Sequence, residues 1–358
     1  MVGLIRLAKP WIGEDEQRAV AAVLESGQLA QGPLVERFEQ AVAALVGRRH
    51  AVAVSSGTAA LQLALKALGV GQGDEVICPA LSWPSPAHAS RLAGARVRFI
   101  DVDTHEWNGT GEAFAAVRTA DVKAAIVIDQ FGNPARSTEI REALGALPII
   151  EDAACAIGSR FSDGPCGGMG VISCLSFHPR KILTTGEGGM CLTDDDDIAE
   201  QLRVLRNHGQ LATEFVVPAG NFRMTEIAAT LGLTQLRRLD EIVGRRREIA
   251  VLYREALGDT VDLQATPAGA ESNYQTLGVV LPQGRARDAF REELLARGVE
   301  VGLLSYAVHE LGSFAGHDES LPISEHIASR GVALPLYPQM RNAEIQKVIR
   351  SVREVLDE

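Results

Sequence analysis

Lysine is scarce in this chain. Five of the 358 residues are lysine (Lys9, Lys66, Lys123, Lys181 and Lys347) beside 30 arginines, so chemistry that needs a nucleophilic amine has few carriers. Lys9 and Lys347 lie near the termini, Lys66 falls in a helical pattern and Lys123 precedes a strand-like run. Lys181 differs: it closes Ser176-Phe177-His178-Pro179-Arg180-Lys181, just after a β-rich run, and leads into Thr184-Thr185-Gly186-Glu187-Gly188-Gly189. Other polar groups also stand just after β-rich runs. They are Ser55-Ser56-Gly57-Thr58 at a helix start, Ser82 and Trp83, Asp129-Gln130-Phe131-Gly132, and Glu151-Asp152. A helix start offers backbone N–H groups and a positive dipole end to a phosphate. An amine for a Schiff base, a carboxylate to keep a pyridine nitrogen protonated, a flat side chain and a phosphate cradle are together what pyridoxal phosphate requires. A Gly-x-Gly-x-x-Gly after a strand and a Gly-Lys-Ser/Thr are both missing, which sets dinucleotides and nucleoside triphosphates aside. Each residue also has a structural alternative: Lys181 as a solvated charge, Asp152 as a helix cap, Trp83 as core, Ser-Gly-Thr as a simple cap. The joint placement carries the chemical reading.

Those residues need a scaffold that brings strand ends to one rim. Between residues 50 and 195 the runs 51–55, 75–79, 97–102, 124–129, 148–151, 171–177 and 189–193 alternate with helical patterns, as in an α/β domain with a mostly parallel seven-stranded sheet. In such a sheet ligands bind outside the carboxyl ends of the strands. The clearest helix is 58–68, apolar every three or four residues and stopped by Gly69. Amphipathic segments 14–24 and 34–46 precede the sheet. One long helical spine is expected from about Arg223 through Leu252. Beyond it, strand-like 274–281 and 299–304 with helices 286–297 and 342–356 read as a smaller α+β unit. The expected division is a large domain, 1–240, and a small C-terminal domain, 241–358.

The formal charge is 35 − 46 = −11, with arginines scattered among acidic residues, so no basic face for nucleic acid is evident. With 46% apolar and 23% charged residues the composition is globular, and no apolar run approaches the roughly 20 residues of a membrane helix. The first residues lack a signal-peptide core. Five cysteines without a Cys-x-x-Cys pair fit a reducing cytoplasm, and no metal site is expected.

The chain resembles the DegT/DnrJ/StrS family of sugar aminotransferases, pyridoxal phosphate enzymes of aspartate aminotransferase fold. The likeness covers nearly its whole length. It rests on Ser26-Gly27-Gln28, Gln31-Gly32-Pro33, Ser55-Ser56-Gly57-Thr58-Ala59-Ala60-Leu61, Gly73-Asp74-Glu75-Val76-Ile77 and Glu151-Asp152-Ala153-Ala154. It continues through Ser176 to Lys181, Thr184 to Gly189, Asn221-Phe222-Arg223-Met224 with Gln235-Leu236, Tyr306 to His309, and Leu334-Pro335-Leu336-Tyr337-Pro338.

The resemblance implies that Lys181 forms the Schiff base and moves the proton, and that Asp152 pairs with the pyridine nitrogen. Trp83 would stack on the ring, and Gly57, Thr58 and Ser176 would hold the phosphate. Asn221 would reach the phosphate of a neighbouring subunit, making the active unit a homodimer, while Arg223 and His309 would contribute to the substrate pocket. Two positions depart from the commoner pattern. Cys155 stands where glutamine or histidine often meets the ring hydroxyl, and a thiol is a weaker partner there. Asp129 replaces a histidine, which puts a carboxyl near cofactor or substrate, or else in a repacked wall. The implied activity is amino transfer from glutamate or glutamine to a keto-sugar, nucleotide-linked, or to a keto-cyclitol, in amino-sugar or antibiotic biosynthesis. Dehydrating relatives carry histidine in place of the lysine, so Lys181 argues against them. An aromatising enzyme of the family, or a non-catalytic ligand-binding regulator, is the alternative.

Overall fold

The computed structural model describes residues 3–317 and 319–357. Its centre is a sheet of His50–Val54 (β1), Glu75–Pro79 (β2), Arg96–Ile100 (β3), Val122–Ile128 (β4), Ile149–Asp152 (β5), Ile172–Ser176 (β6) and Gly189–Thr193 (β7). Each strand falls on an expected run, with ends shifted by two residues at most. The order is β1-β7-β6-β5-β4-β2-β3, and β7 alone runs antiparallel to its neighbours. The reason is local: β6 and β7 are joined by the loop 177–188 with no crossover helix, and a direct return forces the antiparallel sense.

Both faces of the sheet are covered, so strands such as Val122–Ile128 are apolar almost throughout. The period of two still sorts the side chains. Val52, Val54, Ile126, Ile128, Ile150 and Cys174 join the core under helix Gly57–Ala67. On the other face Ala51, Ala53, Leu175 and Met190 pack with helix Pro33–Val46, and Ala125, Val127 and Ile149 with helix Ser137–Leu144. Asp152 therefore shares the face of Ile150, while Glu151 shares that of Ile149.

The expected spine is two helices, Glu226–Leu236 and Leu239–Leu257. The apolar pattern runs through both, but Arg238 leaves the helical region at φ −111° and ψ 12° and re-aims the chain. Beyond it lies an antiparallel four-stranded sheet with Leu277–Val280 and Gly331–Leu334 at its centre. The expected strand 299–304 is reduced to Gly302–Leu303. Helices Leu239–Leu257, Arg287–Ala296 and Asn342–Asp357 cover this sheet around Tyr253, Phe290 and Val352. Ile5 packs into the same core and pairs with Val299, so the first residues return to the C-terminal unit. Leu81–Ser82 pairs with Tyr306–Ala307, which joins the segment after β2 to the C-terminal part of the chain. Among the described residues no helix is long and apolar enough to cross a membrane.

Candidate active site

The register of the sheet builds one rim. Val54 of β1 lies opposite Gly189 of β7, Gly189 opposite Ser176 of β6, and Cys174 opposite Asp152 of β5. Helix Gly57–Ala67 starts from this rim, with Ser56 as N-cap accepting from Ala59 N–H. Its first turn sits tight against the neighbouring strands. A Cβ at Gly57 would come within 2.8 Å of the Ser176 Cβ, and one at Gly189 would overlap the Ser56 carbonyl. Glycine at both places lets the helix start approach Ser176 closely, so that the positive helix end, the Ser176 hydroxyl and the N–H groups of residues 57 and 58 stand together where a phosphate could be held. Thr58 Oγ1 lies 2.8 Å from Ser85 Oγ, which ties this hollow to the segment that carries Trp83.

Lys181 stands on the β6–β7 loop, held where the rim needs it. Lys181 N–H donates to the His178 carbonyl at 2.8 Å, and Thr185 N–H and Thr184 Oγ1 both donate to the Phe177 carbonyl at 2.9 Å. The Gln235 side chain clamps the Thr184 backbone through two hydrogen bonds of 3.2 and 2.8 Å. Lys181 Nζ lies 3.0 Å from Cys155 Sγ. Asp152, only 6% exposed, lies within reach of the Lys181 charge. Burial pushes its carboxyl above the ordinary aspartate range, against the pull of Ala154 N–H at 3.0 Å and of Lys181. A protonated ring nitrogen on that carboxylate would supply the countercharge that burial removes, so the residues fit pyridoxal phosphate.

The other predicted residues are placed as follows. Trp83 is 63% exposed, edge-on to Tyr306 at 5.6 Å, so a broad aromatic face stands open beside the rim. Asn221 is exposed, and Phe222 accepts from Ser55 N–H at 2.8 Å, which lays the segment 221–223 along the end of β1. Arg223 bonds Asn207. His309 is 4% exposed, beside Phe99 and 3.2 Å from Glu325, within the core. Of the two placements expected for Asp129 the structure shows the wall: its parity is that of Val127, so its side chain joins Glu151 on the sheet face opposite Asp152. Sequence reading missed Asn273, whose side chain donates to the Cys155 and Ile157 carbonyls at 2.8 Å, and Gln275, which donates to the Arg180 carbonyl at 2.8 Å. Both come from the C-terminal unit, and no local pattern marks them.

The sheet, its one antiparallel strand and the lysine-bearing loop before it suit the class to which similarity to known proteins assigns the chain, pyridoxal-phosphate-dependent aminotransferases. A profile of the DegT/DnrJ/EryC1/StrS aminotransferase family matches residues 10–353. The aminotransferase TlmJ from Streptoalloteichus hindustanus is 35% identical over 99% of both chains, with a TM-score of 0.94. DesV of S. venezuelae is 32% identical over 96% of this chain and 95% of its own, at 0.91. Spr1654 of Streptococcus pneumoniae, solved in its PLP form, shares the fold at 24% identity over 99% of both chains, at 0.93. The chain belongs to the DegT/DnrJ/EryC1/StrS aminotransferase family, and its enzyme class and cofactor are those the sequence implied.

Proposed function

We propose that the protein moves an amino group from glutamate or glutamine to a keto-sugar, nucleotide-linked, or to a keto-cyclitol, in amino-sugar or secondary-metabolite biosynthesis, and that it works as a homodimer in the cytoplasm. The observation that carries the reading is the meeting of Lys181 and the buried Asp152 at one rim beside the Gly57 hollow. The sequence-wide likeness to the sugar aminotransferases supports the acceptor class. Division at about residue 240 would give each unit its own share of the site: the rim from the large one, Asn273 and Gln275 from the small one.

When bound, pyridoxal phosphate supplies the carbonyl carbon that takes the amino group and a ring that spreads the electron pair left by a broken C–H bond. The helix end at Gly57 and Thr58, with Ser176, would anchor the phosphate. Asp152 would keep the ring nitrogen protonated, and Trp83 would cover one ring face. Lys181 Nζ, leaving Cys155, would take a proton from the donor carbon and return it to the carbon on the far side of the transferred nitrogen, a shift that amino transfer needs in both halves. Asn221 would act on the phosphate of the second subunit. Arg223 would face the substrate only after leaving Asn207, and His309 would support the pocket wall from within the core.

Purified protein with cofactor should lose its visible absorbance on addition of glutamate or glutamine and regain it with a matching member of a keto-sugar and keto-cyclitol panel. No donor-driven loss with Lys181 intact would overturn amino transfer.

A further inference from the structure

Behind Asp152, on the opposite face of the sheet, lie two carboxyl groups the reaction does not use. Asp129, Glu151 and Cys166 are buried, and one side-chain oxygen or sulfur of each lies within 4.8 Å of the others. The two carboxyls are held very differently. Glu151 accepts from Gly167 N–H at 2.7 Å, Met169 N–H at 2.8 Å and Ser173 Oγ at 2.6 Å, the solvation of an anion. Asp129, 2% exposed, accepts at Oδ1 from Ala135 N–H at 2.8 Å, while its buried Oδ2 meets no N–H or O–H donor, and the group facing the carboxyl is the Cys166 thiol, a weak donor. Where two buried carboxylates share a site with no cation between them, one of the two takes up a proton far more readily than a free carboxylate.

The surrounding cations are engaged elsewhere. Arg48 donates to Asp194 at 2.7 Å and to the Gly167 carbonyl at 3.1 Å, and Arg141 bonds Asp163. Both arginines line the cleft of about 270 Å³ that adjoins the pair, but neither donates to Asp129. Cys166 stays a thiol, because burial and the charge of Asp129 oppose its ionisation. Zinc would need the thiolate, and Glu151 has only one lone pair not already engaged.

We propose that Asp129 is a neutral carboxylic acid in the folded protein, its Oδ2 hydroxyl donating to Glu151, so that this face carries one negative charge behind Asp152 where the sequence writes two. Burial and then the Glu151 charge raise the Asp129 carboxyl well above its ordinary range, in the same sense. Asp129 and Asp152 are also joined through the backbone, Asp129 N–H donating to the Asp152 carbonyl at 3.1 Å. Asp129 is thus a positioning residue: it holds the Glu151 side chain beside its donors Gly167 and Met169 and spares Asp152 a second nearby anion. The site stands on the chain's own residues and does not depend on which acceptor the enzyme uses.

Unfolding exposes Asp129 to water, where it ionises at neutral pH. At pH 7 the full-length protein should release about one more proton on unfolding than Asp129→Asn, whose amide keeps both hydrogen bonds. Asp129→Asn should also lose the part of the stability that declines as pH rises from about 4 toward the folded-state value. Equal proton release by the two proteins would overturn the proposal. So would stoichiometric divalent metal in the purified protein, measured by elemental analysis. Should Asp129→Asn fail to fold, infrared spectra of Asp152→Asn protein decide: a protonated-carboxyl band at pH 7 supports the neutral acid, and its absence rejects it.

Discussion

At the residue scale the sharpest question is whether Lys181 is an amine at work or only a positive charge at a strand end. Arginine separates the two. It keeps the charge but cannot give up its proton in a protein. Lys181→Arg should therefore lose amino transfer as fully as Lys181→Ala, by at least about 10²–10⁴-fold, the usual share of a positioned acid–base group. Single-turnover amine transfer measures it, and restored activity in Lys181→Arg would make the residue a charge. Lys181 could be read in the sequence because it is the one lysine that follows a strand through a short polar stretch, and Asp152 because it stands at a strand end within Glu151-Asp152-Ala153-Ala154. The site of Asp129 could also have been read: it is two residues beyond Val127, and the period of two sends it to the face of Glu151. The replaced histidine left two readings open, the reaction or a repacked wall, and parity decides for the side behind the sheet. Asn273 and Gln275 were invisible, because they reach the site across 118 and 95 positions of chain.

At the element scale, the helix Gly57–Ala67 and the strand Gly189–Thr193 must meet almost without side chains at their ends. Two substitutions divide capping from clearance. Ser56→Ala removes the acceptor for Ala59 N–H and should cost about 1 kcal/mol of stability, with modest loss of cofactor affinity. Gly189→Ala drives a methyl into the Ser56 carbonyl and should cost about 1–3 kcal/mol while opening the phosphate hollow. Denaturant midpoints with cofactor titration check both. If Gly189→Ala binds cofactor as the natural protein does, the hollow does not depend on this contact. The strands of the large sheet were legible because burial on both faces leaves apolar runs bounded by turn residues. The break at residues 237–238 was not, since an apolar stripe continues across it and two arginines carry no stop signal. Strand Gly302–Leu303 fell short for a related reason: Val299 is drawn into pairing with Ile5, almost three hundred positions away.

At the scale of the whole molecule, the proposed homodimer makes a demand on the surface. The short hairpin of Gln210–Leu211 and Glu214–Phe215 holds Phe215 70% exposed, with Leu211, Val216 and Val217 uncovered beside it. Four apolar side chains in one segment, just before Asn221, are more than scattered surface residues, and their nearness to Asn221 makes a second copy of the chain the fitting cover. In a two-fold dimer each contact occurs twice. Burying one phenylalanine contributes about 1.5–3 kcal/mol, so the pair contributes about 3 kcal/mol or more. Phe215→Ser should therefore weaken the dimer at least about 100-fold. Because Asn221 would serve the partner's phosphate, the same variant should release cofactor more readily as protein is diluted, while losing none at high concentration. Sedimentation equilibrium and cofactor absorbance, followed together over one dilution series, test the coupling. If subunits separate and cofactor stays, the dimer is real but Asn221 does not reach across it. If neither changes, the hairpin lies outside the interface.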